Sequence, residues 1–221
     1  MNFALITEGV SEHRVIKHII SKYFKDLEPE INQIQPKLIN SRQDNVGGWN
    51  EVLKYCEREE LNDILIENDF LVIQIDTDQS QTSPFSIDHR GFDGQTKTPE
   101  QLYGDVVQKL QSLLLPGILK KHSDKILFAI CIHSIECWLL PVCYTDKHKT
   151  NTNNCMETLN MELRRQDKPT IPPKGKNNPK GIKAYDAVLK NLKRKTDINE
   201  TAQHSFGFYS FIQSLSNISK F

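Results

Sequence analysis

Apolar residues along the chain alternate between short continuous runs and stretches of helical spacing. Residues 3–7 (FALIT) form a short β-compatible run that closes on Glu8-Gly9. Behind Ser11, an N-cap residue type, Val15, Ile16, Ile19, Ile20 and Phe24 recur on one helical face, predicting a helix to about residue 24. A short second strand is expected at 36–40. Gly47-Gly48 breaks the chain, and a helix is expected over 50–61. The strongest strand is 70–75 (FLVIQI), nearly continuous as in a strand buried on both faces, and it runs into Asp76-Thr77-Asp78. Residues 79–98 are polar, contain Pro84, Gly91 and Gly94, and read as a long loop before Pro99 opens a helix to about 115. Residues 125–132 (KILFAICI) predict another buried strand, followed by His133-Ser134-Ile135-Glu136 and a helix through Cys137-Trp138-Leu139-Leu140. Further helices are expected at 156–165, 181–195 and 207–218. The stretch 146–154 is polar, and 170–180, with three prolines, reads as extended.

Strands alternating with helices predict an α/β fold, a mainly parallel central sheet with helices on both faces. At 221 residues the chain suits one core rather than two. Residues 1–145 are expected to form that core, with 146–221 a basic, mostly helical extension packed on the same domain.

Charge changes this picture. From Arg164 to Lys195 there are eleven Lys or Arg and two acids, a net +9, which leaves −9 on the rest of a chain whose total is zero. A basic segment on an acidic body suits a binder of phosphate backbones with a metal site, and equally a solvated lysine-rich face. No apolar run approaches the roughly 20 residues of a membrane span. The N-terminus lacks a basic leader and meets an acid at Glu8, so a cytoplasmic protein with no membrane contact is expected. The five cysteines, odd in number and without a CxxC pair, are expected as free thiols packed as small hydrophobes.

The candidate chemistry lies at the strand ends. Glu8 follows the first strand, Asp76 and Asp78 the central one, and Glu136 the later one. Ligands of open α/β sheets bind outside the carboxyl ends of the strands. Gathered carboxylates repel one another and supply the oxygen ligands that hard divalent cations take. Taken singly, Glu8-Gly9 also fits a plain turn and Glu136 an acid favoured by a helix macrodipole. Their coincidence at three strand ends points to one site. His133 fits a packed strand-end residue better than a ligand of a hard cation, His13 and His18 are expected at the surface, and Trp138 in the core.

The segments ITEGVSEHRVI, LVIQIDTD and IHSIECWLL together resemble the Toprim domain shared by topoisomerases, bacterial primases and OLD-type nucleases. Glu8 matches that family's strand-turn-helix Glu, and Asp76 and Asp78 match its Asp-x-Asp. Glu12 stands where the OLD-like branch has a second acid, and Ser134-Ile135-Glu136 matches that branch's Ser-x-Glu. Gly47-Gly48-Trp49 and the Glu-x-Trp-Leu-Leu run resemble small Toprim-like proteins. The resemblance spans about residues 1–140. The chain departs from the family in having Gln79-Ser80 where many members have Gly, in carrying no ATPase domain within these 221 residues, and in offering no tyrosine to match a topoisomerase nucleophile.

What the resemblance implies is a nuclease using Mg²⁺ or Mn²⁺. Glu8, Asp76 and Asp78 would hold one ion, Glu12 and Glu136 would help hold a second, and a basic residue would lie nearby. Lys180 is the candidate for that residue, with Lys174, Lys176 and Lys183 as rivals. It also implies DNA or RNA as partner, a separate ABC-type ATPase subunit, a role in defence against phage or mobile elements, and room for a homo-oligomer. Asp76-Thr77-Asp78-Gln79-Ser80 also resembles the haloacid-dehalogenase signature, in which Asp76 would be the nucleophile and Asp78 the acid/base, although the later acidic pair of that family is missing. A metal-binding DxD of a glycosyltransferase, and a Toprim-fold nucleic-acid binder that does not cut, are further alternatives.

Overall fold

In the computed structural model, which describes residues 1–39, 42–43, 47–172 and 179–218, four parallel strands form the central sheet. Strand β1 (Asn2–Ile6) pairs with β2 (Glu30–Gln35) on one side. The two-residue strands β3 (Leu38–Ile39) and β4 (Arg42–Gln43) form a separate hairpin. On its other side β1 pairs with β5 (Phe70–Asp76), which pairs in turn with β6 (Ile126–Cys131), so the order is β2-β1-β5-β6.

Successive strand residues point to opposite faces, and the core divides accordingly. Phe3, Leu5, Val72, Leu127, Ala129 and Cys131 belong to one apolar cluster, and Ala4, Ile6, Leu71, Ile73, Ile75 and Ile130 to the other. The second face is covered by α2 (Trp49–Cys56), α3 (Glu60–Glu67), α4 (Pro99–Leu113) and α5 (Pro116–His122). The first is covered by α1 (Val10–Tyr23), α6 (Ile135–Cys143) and α7 (Cys155–Arg165), together with α8 (Pro179–Leu189), α9 (Lys195–Ala202) and α10 (Phe206–Ile218). Leu159, Tyr185, Ile198 and Phe211 thus share one core with Phe3 and Val15. Trp138 is fully buried and stacks on Phe208, centroids 4.6 Å apart and planes within 4°. No helix among the described residues is long and apolar enough to cross a membrane.

Several expectations need correction. The second sheet strand is β2, not residues 36–40. Its sequence EINQIQ is largely polar because it is an edge strand with half-exposed side chains. The expected span overlaps only β3, and Asn40 lies outside the described residues. The helix expected over 50–61 is two, separated after Cys56 by turn bonds from Glu57 N–H to Lys54 O and Arg58 N–H to Tyr55 O. The helix from Pro99 stops at Leu113, because Leu115 precedes Pro116 and is held extended at ψ 137°, where Pro116 starts α5. The basic helix expected over 181–195 ends at Leu189. Asp197 then accepts the backbone N–H groups of Lys193 and Arg194 at 3.1 and 3.0 Å, and a new helix begins.

The cysteine expectation also fails for one pair. Cys137 and Cys155 are joined by a disulfide that ties the first turn of α6 to that of α7, while Cys56, Cys131 and Cys143 are free. Count and spacing did not reveal the pair, because packing of two helices brings it together.

α4 carries a reciprocal cap. Gln101 N–H donates to Thr98 Oγ1 at 3.3 Å, and Thr98 N–H donates to Gln101 Oε1 at 2.8 Å. Thr98→Ala removes the first of these bonds and is expected to cost about 1 kcal/mol, read as a lower urea midpoint at unchanged m value.

Candidate functional site

The strand order fixes where a site can form. The connection from β1 leads outward to β2, and that from β5 leads outward to β6. The order therefore reverses between β1 and β5, and ligands of such sheets bind in the crevice outside the carboxyl ends at that point. Glu8 follows β1 and Asp76 ends β5, so both stand there.

They are joined through backbone and through Gln74. Glu8 Oε1 accepts the Asp76 backbone N–H at 2.7 Å. The Glu8 N–H donates to Gln74 Oε1 at 3.1 Å, and Gln74 Nε2 donates to Asp76 Oδ1 at 2.9 Å, with Cys131 Sγ 3.7 Å away. Gln74 and Asp76 share strand parity with Val72, which places them on the face covered by α1, α6 and α8. Both are almost completely buried.

Glu12 and Glu136 reach the same face from helices. Glu12 lies in the first turn of α1 and folds back over Gly9: a Cβ at that position would meet Glu12 Oε2 at 2.5 Å. Glu136, in the first turn of α6, is buried and accepts a hydrogen bond from the Tyr185 hydroxyl of α8.

Two titratable groups report the shared field. Burial, then Asp76, pushes the Cys131 thiol well above the usual range, with further contributions from Glu12 and Glu8. Burial, then Glu136 and Glu12, holds the Tyr185 phenol well above its usual range, with Asp76 adding to the shift. Glu8, Glu12, Asp76 and Glu136 therefore occupy one neighbourhood.

Asp78 follows at the turn beyond β5. It is half-buried, and its N–H donates to the His133 carbonyl at 3.0 Å. That carbonyl also receives the Thr77 N–H, while the His133 N–H donates to Thr77 Oγ1 at 2.7 Å. These bonds pin the ends of β5 and β6 together and hold His133 at φ 70°, in the left-handed region. Lys180 lies in the first turn of α8, five residues before Tyr185 and so about 7.5 Å along the axis. Its side chain lies outside the described residues, as do Lys174 and Lys176; Lys183 is exposed. His13, expected at the surface, is buried. It follows the helical phase of Ile16 and Ile20, and burial, then Lys17 and Arg14, pulls its pKa down to about 4. His18 is half-buried against the Leu192 carbonyl.

The donor set is oxygen-rich and acidic, as hard divalent cations require. Among the described residues no group of three or more His, Cys, Asp or Glu side chains is placed so that it could hold a metal ion. Gln74 and Tyr185 were not picked out from the sequence. Gln74 shows there only as a polar interruption in FLVIQI, and Tyr185 carries no local pattern. The chain has no match among protein-family models, among curated proteins, or among solved structures.

Proposed function

We propose that the chain is a Toprim-like nuclease that cleaves DNA or RNA phosphodiesters with Mg²⁺ or Mn²⁺, in defence against phage or mobile elements. The observation that carries this is the gathering of Glu8, Glu12, Asp76 and Glu136, from two strand ends and two helices, at the switch point of a parallel sheet. Carboxylate oxygens brought to one place from four points of the chain are the ligand type that a hard divalent cation takes.

Glu8, Asp76 and Asp78 would supply the ligands of one ion, with Glu12 and Glu136 assisting at a second. A cation held there would supply activation of water and stabilisation of the leaving oxygen. The protein does the rest. Gln74 orients the Asp76 carboxylate, and the Asp76 N–H fixes Glu8 Oε1. The basic residues of 164–195, carried in part by α8 beside α1, offset the negative field that an acidic site presents to a polyanion. A separate ABC-type ATPase subunit is the proposed partner.

The test is incubation of the purified chain with plasmid DNA and with tRNA under Mg²⁺, Mn²⁺ or EDTA. Nicking or degradation that requires the cation and stops on chelation is the expected result. Inactivity on both polymers, alone and with a cognate ATPase, overturns the proposal.

A further inference from the structure

The Tyr185 hydroxyl donates to Glu136 Oε1, and both side chains are buried, at 2% and 4% exposure. The tyrosine ring is packed in the core with Ala184, Val188 and Leu189 of its own helix. Its neighbour Asp186 meets Arg14 of α1 at 2.8 Å, a half-exposed pair that adds alignment more than stability. α8 is thereby laid against the helix that carries Glu12. The buried hydroxyl donates to one oxygen of one carboxylate. It occupies Oε1, and among the described residues no hydrogen bond reaches Oε2, whose lone pairs the tyrosine does not use.

Resting on the nuclease proposal, we infer that Tyr185 is the positioning residue for Glu136, holding its carboxylate in a single orientation for a divalent cation. The residue that completes the acid cluster thus comes from the basic C-terminal part of the chain, 49 positions beyond the carboxylate it serves. Groups that orient a metal-binding side chain without touching the metal typically control affinity by 10- to 100-fold. A purely structural hydroxyl would instead satisfy a buried carboxylate and leave cation affinity alone.

The experiment is a Mn²⁺ titration of the full chain without nucleic acid, with free Mn²⁺ read by electron paramagnetic resonance. Tyr185→Phe keeps the ring that fills the core and is expected to weaken Mn²⁺ binding by about 10-fold or more. Adding Tyr185→Phe to Glu136→Gln is expected to change affinity no further, because the effect runs through Glu136. Parent-like affinity in Tyr185→Phe, or an equal further loss in both backgrounds, overturns the inference. A parent chain that binds no Mn²⁺ and cuts neither polymer sinks the nuclease proposal itself. A parent that binds and cuts, matched by Tyr185→Phe, removes only the role of Tyr185.

Discussion

Asp76→Asn is expected to reduce cation-dependent cleavage by about three orders of magnitude, equivalent to about 4 kcal/mol of transition-state stabilisation. Asp76 is the most central of the acids: 1% exposed, bonded through Oδ1 to Gln74, and joined by its backbone to Glu8. Asparagine has the same shape and can still accept from Gln74 Nε2, so the strand end is preserved while the negative charge is lost. Because the bonds to Gln74 and to Glu8 are kept, the cation-free variant should melt close to the parent. That pairing of lost rate and retained stability separates a ligand from a structural residue. Glu8→Gln separates a ligand from a nucleophile. If Asp76 formed a phosphoenzyme, small phosphomonoesters would be turned over without Glu8, and a phosphorylated Asp76 could be trapped. Either finding defeats the assignment of Asp76 as a cation ligand. The measurements are plasmid cleavage rates in Mn²⁺, melting curves without it, and mass spectrometry of acid-quenched reactions.

Gly207→Ala is expected to be the most destabilising of the substitutions considered. In a solvent-facing helix this change stabilises by up to about 1 kcal/mol through propensity alone. Here the sign reverses. A Cβ at Gly207 would lie 2.0 Å from the Ile130 carbonyl oxygen and 3.2 Å from its carbon, both backbone atoms. Ile130 is held in place by the pairing of β6 with β5. α10 must therefore move out, which disturbs the stack of Phe208 on Trp138. Overpacking typically costs 1–3 kcal/mol, and a backbone obstruction puts this position at or above the upper end, about 3 kcal/mol net. For a domain of this length that corresponds to a fall in Tm of about 6–12 °C by calorimetry. A Tm within about 2 °C of the parent would mean that α10 does not lie this close to the sheet.

What could be read from the sequence follows from how local each cause is. The strands Phe70–Asp76 and Ile126–Cys131 announce themselves because burial on both faces demands continuous apolar runs, and the acids at their ends stand out by contrast. β2 was displaced because an edge strand carries only a partial apolar pattern. His13 was legible in principle, three and seven residues before Ile16 and Ile20 on the buried face, but residue type outweighed helical phase. The partners of the site were not legible. Gln74 acquires its role only when parallel register sets β1 beside β5, and Tyr185 only when α8 packs back across α6. The Cys137–Cys155 bond has the same origin, in the meeting of two helices.

The closure of the acid cluster by α8 has a consequence in time. All five acids have been synthesised once Glu136 emerges, yet the hydroxyl that anchors the last of them is 49 residues away. At 5–20 residues per second that interval is about 2.5–10 s. During it, the growing chain displays the carboxyl edge of its sheet without the completed α8 and without α9 and α10, and Trp138 without Phe208 and Phe211 against it. The acid-bearing segment is therefore an unfinished product rather than a separable module. A fragment cut at residue 145 would keep every candidate ligand yet lose both the floor of its core and the grip on Glu136.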